Sequence, residues 1–345
     1  MKSKLKAFFV VAFFLFIFSF FSCSTEDPRY EYVLGTICFV NLYDKGSDKL
    51  YNKIFDRLNQ IDDEFNLNKL DSDISRVNLT AHEKPVQVPD EVFYVIKSAL
   101  KIAAVSNGSF DPSVQPLVNL WGINTENPHV PSKKEVEQLL PLVDFKNIIL
   151  NEENKTVSLN KEDMCIDLGA IVKGFAANEI VKICKEYSVK QAVIDLGGNV
   201  YVYGVKKGGD DWRVGIKNPI DPEGPPLISV YVKQTSVVTS GAYERYFEAD
   251  AKRYHHILST ENGYPVENDL LSTTVICDNS MLADCLSTTF FTLGFEKSRE
   301  LLPLLEKEFK TDLGLVLILK DHSVWVSENC KENCVLLAED WKKNS

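Results

Sequence analysis

Apolar residues recur along this chain in two rhythms, one near two residues and one near 3.6, and the switches between them mark strands and helices. Residues 30–43 alternate and predict a first strand, carrying Leu34-Gly35-Thr36. Over residues 49–65, Leu50, Ile54, Leu58 and Ile61 share one stripe and predict an amphipathic helix. Residues 66–78 are polar and predict a loop with a short helix. A second helix is expected over residues 89–106, opening at Pro89-Asp90 and closing at Asn107-Gly108. Residues 110–122 read as a loop, residues 133–142 as a short helix and residues 147–160 as a hairpin.

The centre of the pattern is residues 164–199. A short apolar run, Met164-Cys165-Ile166, predicts a strand and ends in Asp167-Leu168-Gly169-Ala170. Val172, Ala176, Ile180, Ile183 and Tyr187 then recur at helical spacing. A second run, Ala192-Val193-Ile194, ends in Asp195-Leu196-Gly197-Gly198-Asn199. Strands are expected over residues 199–204, 212–217 and 228–238, with residues 206–211 as a hairpin tip. Two dense loops follow, residues 239–245 and 255–265. Then come a strand over 271–278, helices over 281–293 and 296–310, and a hairpin of 313–319 with 322–326. Strands and helices mix without strict alternation, so the fold class is α+β. No linker or repeat divides residues 33–340, which read as a single domain.

Composition changes the picture at the N-terminus. Lys2, Lys4 and Lys6 precede an apolar run over residues 7–21, broken only by Ser19, and then Ser22-Cys23. This is the layout of a secretory signal, too short for a comfortable membrane span. The segment Phe20-Phe21-Ser22-Cys23 resembles a bacterial lipobox, with Phe20 at the usual Leu position. Residues 1–22 are then a signal peptide, Cys23 the lipidated residue and residues 23–32 a tether. An uncleaved anchor and an ordinary cleaved signal are the alternatives. Loss of three lysines moves the net charge from −11 to −14. So acidic a chain repels nucleic acid and anionic lipid surfaces. Binding an anionic phosphate needs local cations, a metal ion among them.

The eight cysteines show no disulfide framework. Cys38, Cys165, Cys184, Cys277 and Cys285 sit in apolar contexts and read as buried small residues. Cys330 and Cys334 are the one candidate pair for a local disulfide; zinc there lacks two further ligands.

Four groups of residues can carry chemistry. Gly169 permits a sharp turn, after which free N–H groups and the positive helix end face outward, with Lys173 in the first turn. That suits a phosphate or pyrophosphate; an ordinary strand–helix turn reads the same way. Phe175-Ala176 stand where a P-loop needs Lys and Ser/Thr, and no Gly-x-Gly-x-x-Gly follows a strand, so neither of those motifs is present. Asp284, Ser287 and Thr288 share one helix face and offer hard oxygens suited to Mg2+ or Ca2+, or simply a solvated polar face. Trp121 can wall a planar ligand or pack in the core. His256, beside His255, can act as general base or acid, or be an exposed loop histidine. A Ser240–His256 hydrolase arrangement lacks the Gly-x-Ser-x-Gly elbow.

These segments, in this order, resemble the ApbE family of FAD:protein FMN transferases. The resemblance rests on residues 167–176, Leu196-Gly197-Gly198-Asn199, Thr239-Ser240-Gly241-Ala242-Tyr243-Glu244-Arg245, the stretch from His256 to Pro265, and Ala283-Asp284-Cys285-Leu286-Ser287-Thr288. It spans residues 33–295 and implies mixed, largely antiparallel sheets with packed helices. It also implies a reaction: FAD is cleaved, FMN joins a Ser or Thr hydroxyl of a target protein, and AMP leaves. Targets are flavin-accepting subunits of membrane redox complexes. The resemblance places Mg2+ on the Ala170 carbonyl, Asp284 and Thr288, with Ser287 adjacent. It places FAD against Leu34, Asn119, Leu120, Trp121, Asp167 and Lys173, with His256 by the diphosphate and Thr260 further along. On that basis His256 is expected to take the acceptor proton, Asp284 being a poorer base if metal-bound. Asn68 stands where the family often has an aromatic residue, so FAD is expected to be held less firmly and also hydrolysed to FMN and AMP. A non-catalytic periplasmic FAD-binding lipoprotein is the alternative. The expected location is the periplasmic side of a bacterial inner membrane, through the Cys23 lipid.

Overall fold

A computed structural model describes residues 27–344 except Asn124 and Lys207. The expected signal peptide, Cys23 and the first part of the expected tether lie outside the described residues. The centre is a nine-stranded sheet, in spatial order β1 (Arg29–Val33), β2 (Thr36–Leu42), β6 (Gln191–Leu196), β7 (Asn199–Gly204), β10 (Thr235–Gly241), β13 (Leu270–Cys277), β14 (Gly314–Leu319), β15 (Ser323–Val326) and β17 (Lys342–Asn344). All neighbours pair antiparallel except β15 and β17. Three small sheets complete the fold: β3 (Val86–Gln87) with β5 (Thr156–Leu159) and β4 (Ile148–Asn151); β11 (Tyr246–Ala249) with β12 (Lys252–His255); and β16 (Cys334–Leu336) with β9 (Ile228–Val232) and β8 (Trp212–Ile216). The architecture is α+β with largely antiparallel sheets, as expected.

The helices are α1 (Asp48–Phe65), α2 (Asp73–Thr80), α3 (Asp90–Val105), α4 (Gln115–Trp121), α5 (Lys133–Leu139), α6 (Val172–Glu186), α7 (Ser280–Leu293) and α8 (Phe295–Phe309). The main sheet has two buried faces because its strands alternate. In β7, Tyr201 and Tyr203 join the helical core, while Val202 joins Trp212, Val214 and Val230 beneath the β8–β9–β16 sheet. No helix among the described residues is long and apolar enough to cross a membrane.

Several expectations are corrected. The single strand over residues 30–43 is a hairpin, turning through Leu34 (φ 56°) and Gly35 (φ 68°). Two successive positive φ values give the twist that a two-residue hairpin needs. The strand expected over 228–238 is two strands in different sheets, and residues 206–211 link the main sheet to the small one rather than tipping a hairpin. Met164-Cys165-Ile166 forms no strand. The Asn78 amide instead takes both backbone groups of Ile166, at 2.7 and 2.9 Å, and so replaces a neighbouring strand. The loop over residues 110–122 contains α4, and residues 239–241 belong to β10. Cys165 is partly exposed, whereas the other four predicted core cysteines are buried. Cys330 and Cys334 are buried free thiols in hydrogen-bond contact, which lowers Cys330 to about 7 and raises Cys334.

Helices α6 and α7 come into close backbone contact at Gly174. A Cβ on Gly174 of α6 would sit 2.2 Å from the Ser280 carbonyl oxygen and 2.6 Å from Met281 Cα on α7. Both neighbours are backbone, so they cannot swing aside. Gly174→Ala should therefore destabilise the fold by about 1–3 kcal/mol. A lowered urea midpoint with an unchanged slope checks this; a wild-type midpoint would contradict the packing.

Candidate functional site

Three elements converge on Asp284. Helix α7 starts at Asn279, whose side chain caps Leu282 N–H, and carries Asp284 inward at 4 % exposure. Helix α6 lies against it, and Gly174 N–H donates to Asp284 Oδ2 at 2.9 Å. Lys173 Nζ lies 3.5 Å from Asp284 Oδ1 and donates to the Gly169 carbonyl at 2.9 Å. The end of β10 supplies Ser240, whose hydroxyl meets Ser287 Oγ at 2.8 Å and Thr288 Oγ1 at 3.2 Å. Ser287 is fully buried and also donates to the Asp284 carbonyl at 2.9 Å. Ser287 is thus committed within the protein, while Thr288 is half-buried.

One missing hydrogen bond gives this cluster its character. In a regular helix Gly174 N–H would reach the carbonyl four residues back, that of Ala170. Here it goes to Asp284 instead, and the Ala170 carbonyl accepts no hydrogen bond among the described residues. Among the described residues Asp284 Oδ1 meets only the Lys173 ammonium. A free carbonyl, a carboxylate oxygen and a half-buried hydroxyl are hard oxygen donors, and they fit Mg2+ in chemistry. Among the described residues no cluster of three or more His, Cys, Asp or Glu could hold a metal.

The turn before α6 differs from expectation. Gly169 N–H does not face outward; it donates to Asp167 Oδ1 at 2.6 Å. Val172 N–H goes to the Leu168 carbonyl and Gly174 N–H to Asp284. Protein groups therefore satisfy these helix-start amides, and the cation on offer at this turn is the Lys173 side chain. Desolvation pushes the Asp167 carboxyl upward, opposed by the Gly169 hydrogen bond and the Lys173 and Arg245 charges.

The two histidines separate cleanly. His255 is buried, with Nε2 3.0 Å from the Val266 carbonyl and Nδ1 accepting from Ile257 N–H at 3.3 Å, so its ring is fully engaged. His256 is half-buried, with Nδ1 3.1 Å from the Arg245 carbonyl. A carbonyl only accepts, so Nδ1 carries the proton and Nε2 keeps a free lone pair. Desolvation first, and the Arg245 and Lys173 charges after it, lower His256 to about 4. Ser240 forms no hydrogen bond with His256, and its partners are the α7 hydroxyls. The hydrolase arrangement is therefore absent.

The remaining predicted residues fall into two groups. Leu34 N–H donates to Asp62 Oδ1 at 3.2 Å, and Asp62 also pairs with Lys69, so the Leu34 turn and the exposed Asn68 segment meet through one carboxylate. Asn119 is exposed and Leu120 half-buried on α4. Of the two readings of Trp121, ligand wall or core packing, the structure shows the second. Its indole is fully buried, donates to the Gly263 carbonyl at 2.8 Å and packs among Phe247, Tyr254 and Tyr264. Thr260 Oγ1 donates to the Gly108 carbonyl at 2.7 Å and ties that loop to α3's end. Sequence reasoning assigned no role to Arg245, Gly174 or the Ser240 relay. Arg245 had one signal, the motif in which it stands; the other two depend on helix contact.

The model of the ApbE family matches residues 34–310. This chain belongs to the ApbE family. It is 36 % identical over 294 residues to the FAD:protein FMN transferase of Treponema pallidum, covering 80 % of this chain and 81 % of that one. It is 33 % identical over 306 residues to a Klebsiella pneumoniae protein of the same name, covering 88 % and 93 %. The crystal structure of the ApbE protein from Thermotoga maritima superposes with a TM-score of 0.81 at 30 % identity, covering 89 % of this chain and 98 % of that one. The relatives' sheets and helices thus agree with the α+β architecture described above.

Proposed function

We propose that this protein is an FAD:protein FMN transferase that attaches FMN to a Ser or Thr hydroxyl of an acceptor protein and releases AMP. The observation that carries this reading is the Ala170 carbonyl left free when Gly174 N–H turns to Asp284, with Lys173 paired to that carboxylate and its charge felt by the neutral His256 imidazole. Mg2+ held by Ala170, Asp284 and Thr288 would neutralise charge on the substrate phosphates. Lys173, 3.5 Å from Asp284 Oδ1, pairs with the FAD diphosphate. His256 Nε2 takes the proton from the acceptor hydroxyl, while the Arg245 carbonyl holds the ring in the required tautomer. The acceptor oxygen bonds to the FMN phosphorus, the bond to the AMP oxygen breaks, and AMP departs. Positioning and charge neutralisation carry most of such a transfer.

Asn68 supports a second activity. It is exposed and offers no ring to stack on a flavin, and the resulting loss is about 1–3 kcal/mol on the scale of base–aromatic stacking. Water can then replace the acceptor, giving FMN and AMP by hydrolysis. The test is incubation with FAD, with and without Mg2+, followed by nucleotide separation. FMN and AMP appearing only with metal support this side activity. Intact FAD with Mg2+ but no acceptor removes it, and intact FAD even with acceptor favours a non-catalytic flavin-binding lipoprotein. Signal, lipidation at Cys23 and attachment to the periplasmic side of the inner membrane belong to the same proposal, as do acceptors among membrane redox complexes.

Lys173 gives an independent prediction. Its ammonium lies 3.5 Å from Asp284 Oδ1, so Lys173→Met should raise Mn2+ affinity without FAD by roughly tenfold, about 1.4 kcal/mol. FAD affinity should fall in the same variant. Equilibrium Mn2+ binding checks this, and Lys173→Arg should behave like wild type; unchanged Mn2+ affinity in Lys173→Met contradicts the competition.

A further inference from the structure

The outer face of the β1–β2 hairpin is an exposed aromatic surface with no described partner. Tyr30 and Tyr32 on β1 are 64 % and 77 % exposed, and Ile37 on β2 is 64 % exposed. Register sets Tyr32 opposite Ile37 and Tyr30 opposite Phe39, and the Tyr30 and Phe39 rings lie 4.8 Å apart. Strand alternation sends Val33, Cys38, Val40 and Leu42 to the helical core, so Tyr30, Tyr32, Ile37 and Phe39 form an apolar patch on the outer face, bordered on β6 by Asp195 in register opposite Phe39. The β8–β9–β16 sheet covers this face further along and stops near Trp212, whose ring is 5.2 Å from Tyr43. The sheet edge beyond is bare, and contiguous exposed apolar surface of this kind marks an interaction site.

Chain length identifies the occupant. Cys23 lies six residues before Arg29, a reach of at most about 20 Å. We infer that Tyr30, Tyr32, Ile37 and Phe39 form a membrane-apposed face that lies on the bilayer interface beside the lipid anchor. This rests on the proposal that Cys23 is lipidated. Tyrosine suits the position because its ring is apolar and its hydroxyl stays wet. Contact through uncharged rings also suits an acidic chain, which gains nothing from anionic headgroups. The hairpin's other end is the Leu34–Gly35 turn, tied to Asp62 beside Asn68. The face therefore fixes the site's height and orientation above the bilayer, where a membrane-held acceptor presents its hydroxyl.

The test uses the full lipidated chain in phosphatidylcholine vesicles, with hydroxyl-radical labelling read by mass spectrometry. Tyr94 on α3 is the internal standard, 51 % exposed on the opposite, helical side. By exposure alone, Tyr30 and Tyr32 should label faster than Tyr94. The inference predicts the reverse, with both labelling several-fold more slowly at every protein-to-lipid ratio. Faster labelling of Tyr30 and Tyr32 overturns it. Protection that vanishes as protein is diluted in lipid also overturns it, and assigns the face to a second copy of the chain. The mass of the N-terminal peptide reports acylation separately: an acylated chain with fast-labelling tyrosines refutes the face alone, whereas an unacylated Cys23 refutes the anchor and the argument built on it. As a further arm, Tyr30→Ser with Tyr32→Ser should leave acylation intact and restore fast labelling at Ile37; continued protection of Ile37 contradicts a ring-mediated contact.

Discussion

Asp284→Asn lowers FMN transfer by about 10³-fold or more, on the scale of losing one preorganised electrostatic group in a phosphoryl or acyl transfer site. The variant is chosen so that the fold survives. Asp284 Oδ2 accepts Gly174 N–H at 2.9 Å, and the asparagine carbonyl can accept the same bond. What is lost is the charge that faces Lys173 at 3.5 Å, which the proposed oxygen set with Ala170 and Thr288 requires. Asp284→Ala removes the acceptor too and should add a stability loss of about 1–3 kcal/mol, because Gly174 N–H is left buried without a partner. Measuring both variants by acceptor flavinylation and by urea unfolding separates the two roles. An active Asp284→Asn would remove the carboxylate from the chemistry.

His256→Ala has the second large effect, a fall in kcat of about 10²–10⁴-fold with the FAD affinity little changed. The pH dependence follows from the neutral ring. Desolvation holds His256 near 4, below the ordinary histidine value of 6.5, so the base stays unprotonated as pH falls from 8 toward 5. Transfer should therefore be flat over that range and drop as pH approaches 4. An unshifted histidine would already lose half of its activity near pH 6.5. A wild-type profile breaking near 6.5, or a His256→Ala enzyme with unchanged turnover, contradicts the assignment.

How much was legible depends on where the controlling contact lies. Helix α1 is visible because Leu50, Ile54, Leu58 and Ile61 announce its buried stripe, and all four are buried. The grouping of Asp284, Ser287 and Thr288 is visible because helix spacing alone aligns them. The β1–β2 turn is not, since Leu34 at φ 56° carries none of the usual Asn-Gly signal. The break between β9 and β10 hides in a run where Val230, Val232, Val237 and Val238 are all buried, though in two separate cores. Ile166 reads as a strand residue because its neighbours are apolar, while its actual partner, Asn78, is 88 residues away. Trp121 illustrates the limit of residue type: a ring suited to stacking on a ligand is equally suited to the interior, and the Gly263 carbonyl decides for the interior. The family resemblance pointed to the Ala170 carbonyl, but why it is free could not be read, because that depends on Gly174 N–H turning to Asp284 where α6 meets α7.

The most direct test of the central claim is the intact mass of an acceptor protein bearing a single candidate Ser or Thr, after incubation with this protein, FAD and Mg2+. The expected result is a mass increase of one FMN moiety, equimolar AMP, and loss of both when that hydroxyl residue is replaced by alanine. An acceptor of unchanged mass, while FAD remains intact or goes only to free FMN and AMP, would contradict transfer as the function of this site.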